Sequence, residues 1–188
     1  SIGPVRCRVE PARGDFGRAR FALPRLPQHF GNAAEATEIA AALGLELDDL
    51  GCDDYELGRW SAGNVFTMVP VRGRDAIERA RPDPAHWEAA FGSVGSRAAF
   101  LFCREVVEKG HAFHARMFAP GLGIGEDPAT GSAVAAFAGL VARHAGLADG
   151  EHALAIEQGY EMGRPSLIEL GLTLEGGALV AAAIGGDA

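Results

Sequence analysis

Residues 133–144, AVAAFAGLVARH, place the tightest limit on how this chain folds. At 3.6 residues per turn, Ala133, Val134, Ala136, Phe137, Leu140 and Val141 cover most of the circumference of a helix. A helix that is apolar nearly all round has to lie inside the molecule with other elements wrapped around it. Ala135, Ala138 and Gly139 are small enough to let those elements approach closely.

The wrapping is available in short strand-like runs. Residues 5–10 and 18–23 pattern as a hairpin across the Arg13-Gly-Asp-Phe-Gly17 turn. Residues 65–71 read as a strand, as do 98–103 and 113–118, which flank Glu108-Lys-Gly110. After the central helix, 154–157, 167–174 and 178–184 close the sheet, the last two joined by a tight turn at Gly176-Gly177. Helical patterns are fewer. Residues 32–43 carry an Asn32/Glu35 capping pair with Gly44 past the end, and 75–81 and 84–91 read as short surface helices divided by Pro82-Asp-Pro84. The order implies an α+β domain, mainly antiparallel sheet around one buried helix at about 128–145.

The junction into that helix, Gly121-Leu-Gly-Ile-Gly-Glu-Asp-Pro-Ala-Thr-Gly-Ser-Ala133, concentrates the chemistry. Asp127 fits an N-cap and Pro128 the first helical position, where a missing N–H is harmless. The N–H groups of Ala129, Thr130, Gly131 and Ser132 then point out of the helix start and, with the dipole, favour a carboxylate or phosphate. Asp127 reads equally as a cap alone or as a functional acid beside an anion hole, and one residue can do both. Glu126 reads first as a solvated loop carboxylate or an arginine partner. Ser132 lacks the G-x-S-x-G elbow of a nucleophile.

Other chemistries are excluded by spacing or charge. The junction lacks the third glycine of a dinucleotide loop and the lysine of a P-loop. His111 and His114, three apart on a strand, would face opposite sides, so a zinc pair is not expected and no metal is assigned. A net charge of -8 argues against a nucleic-acid partner. The apolar stretch near 133–142 is too short to span a bilayer, so no membrane role is expected. Cys7, Cys52 and Cys103 are odd in number and lack CxxC spacing, which fits a reducing cytoplasm.

The junction also carries a resemblance. Gly123-Ile-Gly-Glu-Asp-Pro-Ala-Thr-Gly-Ser-Ala133, preceded by Arg116-Met-Phe-Ala-Pro120, resembles the signature of the PhzF family, phenazine-biosynthesis-like isomerases related in fold to diaminopimelate epimerase. Ser61-Ala-Gly-Asn-Val-Phe-Thr-Met-Val-Pro-Val71, Gln158-Gly-Tyr-Glu-Met-Gly-Arg-Pro-Ser166 and Ile184-Gly-Gly186 resemble further parts of it, in the expected order. The resemblance implies a cofactor-independent isomerase or epimerase acting on a small carboxylate-bearing metabolite, with a homodimer plausible. It implies that Asp127 assists proton handling or holds a substrate amine or hydroxyl. Gly131 and Ser132, with Thr130, would bind the carboxylate, and Arg164-Pro-Ser166 would shape the edge of the site. It further implies that residues 1–24 form a leading hairpin at an inter-domain edge and 25–188 the family's C-terminal domain. The family's main catalytic glutamate and its Gly-His-Ala-Thr segment belong to an N-terminal domain, so this chain is expected to be one domain of a two-domain enzyme and incomplete by itself. Relatives usually continue past the chain's last residues into one more strand. The competing expectation is a non-catalytic carboxylate-binding or assembly domain that keeps the anion pocket and lacks the base.

Overall fold

A computed structural model of the chain describes residues 5–11, 17–92 and 95–187. The strands are β1 (Cys7–Pro11), β2 (Gly17–Ala22), β3 (Gln28–His29), β4 (Gly58–Ser61), β5 (Val65–Pro70), β6 (Ala99–Cys103), β7 (Phe113–Ala119), β8 (Ile124–Asp127), β9 (Gly150–Gln158), β10 (Ser166–Glu175) and β11 (Ala178–Asp187). The helices are α1 (Ala36–Ala42), α2 (Arg74–Arg79), α3 (Pro84–Trp87) and α4 (Gly131–His144). The strands join one sheet in the order β1-β2-β11-β10-β9-β7-β6-β5-β4-β3, with β8 alongside β7. Neighbours pair antiparallel except β5 with β6 and β7 with β9, which run parallel. The fold is α+β.

The sheet curls around α4, whose residues from Ala133 to Val141 are all buried. Phe137 shows why the helix is central: its ring lies 4.6 Å from Phe102, 4.9 Å from Phe113 and 5.5 Å from Phe100. Strand alternation then splits the core in two. Phe100 and Phe102 of β6 face α4, whereas Ala99, Leu101 and Cys103 face a second core with α1, α2 and α3. Strands β6 and β7 are therefore buried on both faces; β6 reads as an unbroken apolar run, whereas β7 carries His114 and Arg116 among its apolar residues.

The structure shifts several expected boundaries. Helix α1 starts at Ala36 with Glu35 at its N-cap and no side-chain cap bond; Asn32 instead offers its carbonyl to Arg59 Nε at 2.8 Å. The strands β1 and β2 pair as expected, but their connecting turn lies outside the described residues. Strands β3, β4 and β8 are two to four residues long, too short to show a period in the sequence. Gly176 and Gly177 do form the tight β10–β11 turn, both with positive φ, and Asp149 accepts their N–H groups at 2.7 and 2.8 Å.

Close approach, not conformation, dictates Gly139. A Cβ there would lie 2.5 Å from the Trp60 ring and 3.1 Å from Pro27. Gly139→Ala should therefore destabilise the protein by about 1–3 kcal/mol through overpacking, against a helix-propensity gain of about 1 kcal/mol. A lower urea midpoint with an unchanged slope would report it, and a raised midpoint would show that Trp60 yields freely.

Candidate active site

The candidate site is built where β8 turns into α4. After β7, a turn at Pro120–Leu122 ends on Gly123 in the left-handed region, φ 78°, and sends the chain back as β8 beside the end of β7. Successive strand residues point to opposite faces, and this separates the two adjacent acids. Glu126 turns to the outer face. Asp127, opposite Met117, turns toward the helix side.

Asp127 is not the helix N-cap. It ends β8, Thr130 occupies the cap position, and Pro128 lies in the connection. The cause is a residue distant in sequence. Buried Gln158, at the end of β9, accepts from the Thr130 N–H through Oε1 at 3.1 Å. Its Nε2 donates to the Asp127 carbonyl at 2.6 Å and to Thr130 Oγ1 at 3.0 Å. These bonds hold the connection open, so helical geometry begins only at Gly131. Thr130 Oγ1 donates to Asp127 Oδ2 at 2.6 Å.

The expected row of free N–H groups is correspondingly narrower. Gln158 occupies the Thr130 N–H, and the N–H groups of Ala133 and Val134 return to the Thr130 carbonyl at 3.0 and 3.1 Å. Among the described residues, Gly131 and Ser132 have no acceptor for theirs and stand at the positive end of a fourteen-residue helix. Gly131 is half-buried and Ser132 exposed, whereas Thr130 is buried. A Cβ at Gly131 would make only an ordinary 3.5 Å contact with Ile184. Its glycine thus relieves no clash. Asp127, Thr130, Gly131 and Ser132 therefore come together, with Thr130 turned toward Asp127 and Gln158.

The loop after β9 closes against this junction. Gly159 has φ 82°, and a Cβ on it would run into the Arg164 and Pro128 carbonyls, so only glycine fits. That contact brings the segment containing Arg164 beside Pro128.

On the outer face lies a buried polar network that the sequence concealed. Arg116 grips Glu126 with Nε and Nη2, each at 2.8 Å, and gives Nη1 to the carbonyls of Ile77 and Ala80 at 2.8 and 3.0 Å. The cation thus closes the end of α2 while fixing β8 to β7. Beyond it, His114 bonds Glu161 through Nε2 and Glu157 through Nδ1, both at 2.7 Å. His111 reaches the other oxygen of Glu157 at 2.6 Å. The two histidines share a partner because His111 precedes the strand, so the opposite-face expectation does not apply to it. Burial by itself would lower the His114 pKa, but its bonds to Glu161 and Glu157 prevail and hold it above the ordinary value. Burial likewise pushes Glu157 and Glu161 upward; the Val107 N–H and the two histidines draw Glu157 down, and His114 draws Glu161 down.

Among the described residues, no group of three or more His, Cys, Asp or Glu is arranged to hold a metal ion. Burial raises the Cys52 thiol to about 11 and the Cys103 thiol to about 12, which keeps both protonated and poorly nucleophilic. No helix of the described residues is long and apolar enough to cross a membrane. Sequence reasoning missed Gln158 as a latch and Glu157 and Glu161 as network members. The one available signal was Glu157-Gln158, two adjacent polar residues that follow the apolar run 153–156 and stand just before a glycine.

Comparison with known proteins agrees with this architecture. The family model for phenazine biosynthesis-like protein matches residues 3–188. An uncharacterized isomerase of Mesorhizobium japonicum is 43% identical over 196 residues, covering 100% of this chain and 63% of the relative. A trans-2,3-dihydro-3-hydroxyanthranilate isomerase of Pseudomonas fluorescens is 46% identical over 167 residues, covering 89% of this chain and 54% of the relative. A crystal structure of a Bacillus anthracis phenazine biosynthesis protein of the PhzF family superposes with TM-score 0.84 at 24% identity, over 96% of this chain and 60% of that one. The chain belongs to the phenazine biosynthesis-like family. It spans between half and two thirds of the length of these relatives.

The outer network makes stability depend on pH with a definite sign. The raised His114 value means its contribution is complete below 6.5, its ordinary value, and is lost as pH rises through the folded value. The lowered Glu157 and Glu161 values mean theirs is complete above 4.5 and is lost as pH falls. The urea midpoint should therefore fall as pH climbs above 6.5, and His114→Gln should flatten that fall while lowering the midpoint near pH 6. Parallel pH profiles for the two proteins would remove His114 as the cause.

Proposed function

We propose that this member of the phenazine biosynthesis-like family is part of a cofactor-independent isomerase, and that its β8–α4 junction binds a small carboxylate substrate and handles one of its protons. One observation carries the reading. A half-buried carboxylate, Asp127, stands at the same junction as two N–H groups, of Gly131 and Ser132, that the fold leaves without acceptors.

The chemistry follows from that pairing. A base removes a proton from carbon, and the electron pair moves into the conjugated carboxyl of the substrate. The growing negative charge on the carboxyl oxygens then meets the Gly131 and Ser132 N–H groups and the positive end of α4. Preorganised donors of this kind typically supply about 10²–10³ in rate, and a positioned acid or base about 10²–10⁴. The proton returns at another carbon, so the net reaction moves a double bond and needs no redox partner. Glu126 is not available as a second acid, because Arg116 holds both of its oxygens on the other face of β8. The family resemblance assigns the main acid/base glutamate to another domain, and the relatives are long enough to contain one. The names of the Pseudomonas relatives suggest a substrate like trans-2,3-dihydro-3-hydroxyanthranilate, a small ring carboxylate whose ring amine or hydroxyl Asp127 would hold.

Incubation of the complete enzyme, with the domain that carries the glutamate, in deuterated water with trans-2,3-dihydro-3-hydroxyanthranilate, read by mass spectrometry, tests this. We expect deuterium at ring carbon in the product and a loss of at least about 10²-fold in Asp127→Ala. That variant also loses the Thr130 hydroxyl bond, at about 1 kcal/mol. Unchanged exchange in folded Asp127→Ala would rule out the role of Asp127. Binding of the carboxylate with no exchange at all would instead mark a binding or assembly domain.

A further inference from the structure

The hydrogen bonds at the β8–α4 junction have only one consistent direction. A backbone N–H can only donate and a carbonyl can only accept. Thr130 N lies 3.1 Å from one end of the Gln158 amide, and the Asp127 carbonyl lies 2.6 Å from the other. The first end must therefore be Oε1 and the second Nε2, whichever way a side-chain amide is otherwise drawn. The amide nitrogen has no acceptor capacity, so its second hydrogen faces Thr130 Oγ1 at 3.0 Å and the hydroxyl accepts it. The hydroxyl has one hydrogen of its own. It goes to Asp127 Oδ2 at 2.6 Å.

We propose that Gln158 and Thr130 are positioning residues that keep Asp127 Oδ2 permanently hydrogen-bonded and leave Oδ1 as the one oxygen on which Asp127 takes up and releases a proton. This rests on the reading of Asp127 as a proton-handling acid. A proton on Oδ2 would face the hydroxyl hydrogen, so that protonation state is disfavoured. Oδ1 has no donor among the described residues and is open to a ligand. Gln158 is 0% exposed and Thr130 6%, so water does not compete for the relay. The same amide also fixes the Asp127 carbonyl and the Thr130 N–H, and so ties the carboxylate to the start of the helix that offers the Gly131 and Ser132 N–H groups. Thr130 acts through Asp127 and is shielded from a substrate.

Three variants test it. Thr130→Ser keeps the hydroxyl and Thr130→Val removes it at nearly the same volume. Gln158→Glu keeps the shape but replaces the amide donor with an acceptor, which turns the hydroxyl hydrogen away from Asp127. In solution NMR the Asp127 carboxyl carbon should shift in Thr130→Val and Gln158→Glu and stay in place in Thr130→Ser. In the complete enzyme the turnover number should fall by about 10²-fold in Thr130→Val and Gln158→Glu with KM within about threefold, and Thr130→Ser should recover it. An unmoved Asp127 carboxyl signal in folded Thr130→Val and Gln158→Glu overturns the relay, as does unaltered turnover in Thr130→Val. The two readings fail separately. Turnover by Asp127→Ala sinks the functional reading, whereas an unmoved carboxyl signal sinks the relay even where Asp127→Ala is inactive.

Discussion

Burial of α4 is the constraint on which the rest of the molecule depends. A helix without a polar face must be enclosed, and the sheet that curls around it places β6 and β7 between two apolar layers. Once those strands are covered on both faces, no polar side chain on them can reach bulk water. His114 and Arg116 lie on β7 at 0% and 3% exposure, so each must find internal partners. Glu157, Glu161 and Glu126 are those partners, together with the last carbonyls of α2. Burial opposes the charged forms of His114, Glu157 and Glu161, and the hydrogen bonds that each makes outweigh it.

A second regularity follows from the pleat. Two pairs of adjacent polar residues, Glu126-Asp127 at the end of β8 and Glu157-Gln158 at the end of β9, each straddle the sheet. In both pairs the first member turns outward into the ion-pair network and the second turns inward to the start of α4. Alternation thus separates charges that hold the fold from groups available for chemistry. Asp127 keeps an open oxygen because its neighbour, and not itself, satisfies Arg116. The N–H groups of Gly131 and Ser132 stay open because Gln158 engages Thr130 one residue earlier.

How much of this was legible beforehand varied with range in sequence. The α+β class, the buried helix, the Gly176-Gly177 turn and the main strands could be read because they depend on local period and turn chemistry. The family was legible in the Glu-Asp-Pro-Ala-Thr-Gly-Ser run, and the family model covers the chain from residue 3 onward. The helix start was misplaced because Asp127-Pro128 satisfies every local rule for a cap. A bond from Gln158, thirty-one residues away, overrides those rules. The capping pair expected at Asn32 failed in a similar way, with Arg59 taking the Asn32 carbonyl.

The sequence by itself determined what had to be inside and what kind of junction leads to it. Apolar period and small side chains settle the burial of α4, and residue type alone puts acids, a proline and glycine at its entrance. Only the tertiary structure decided which of those groups are engaged and which stay open. That choice depends on β7, β8 and β9 lying side by side, since the partners of Asp127, Glu126 and His114 come from strands and loops that neighbour them only in the folded sheet. Hydrogen-bond partners within a few ångströms are set by chain packing, and no pattern along the sequence encodes them locally.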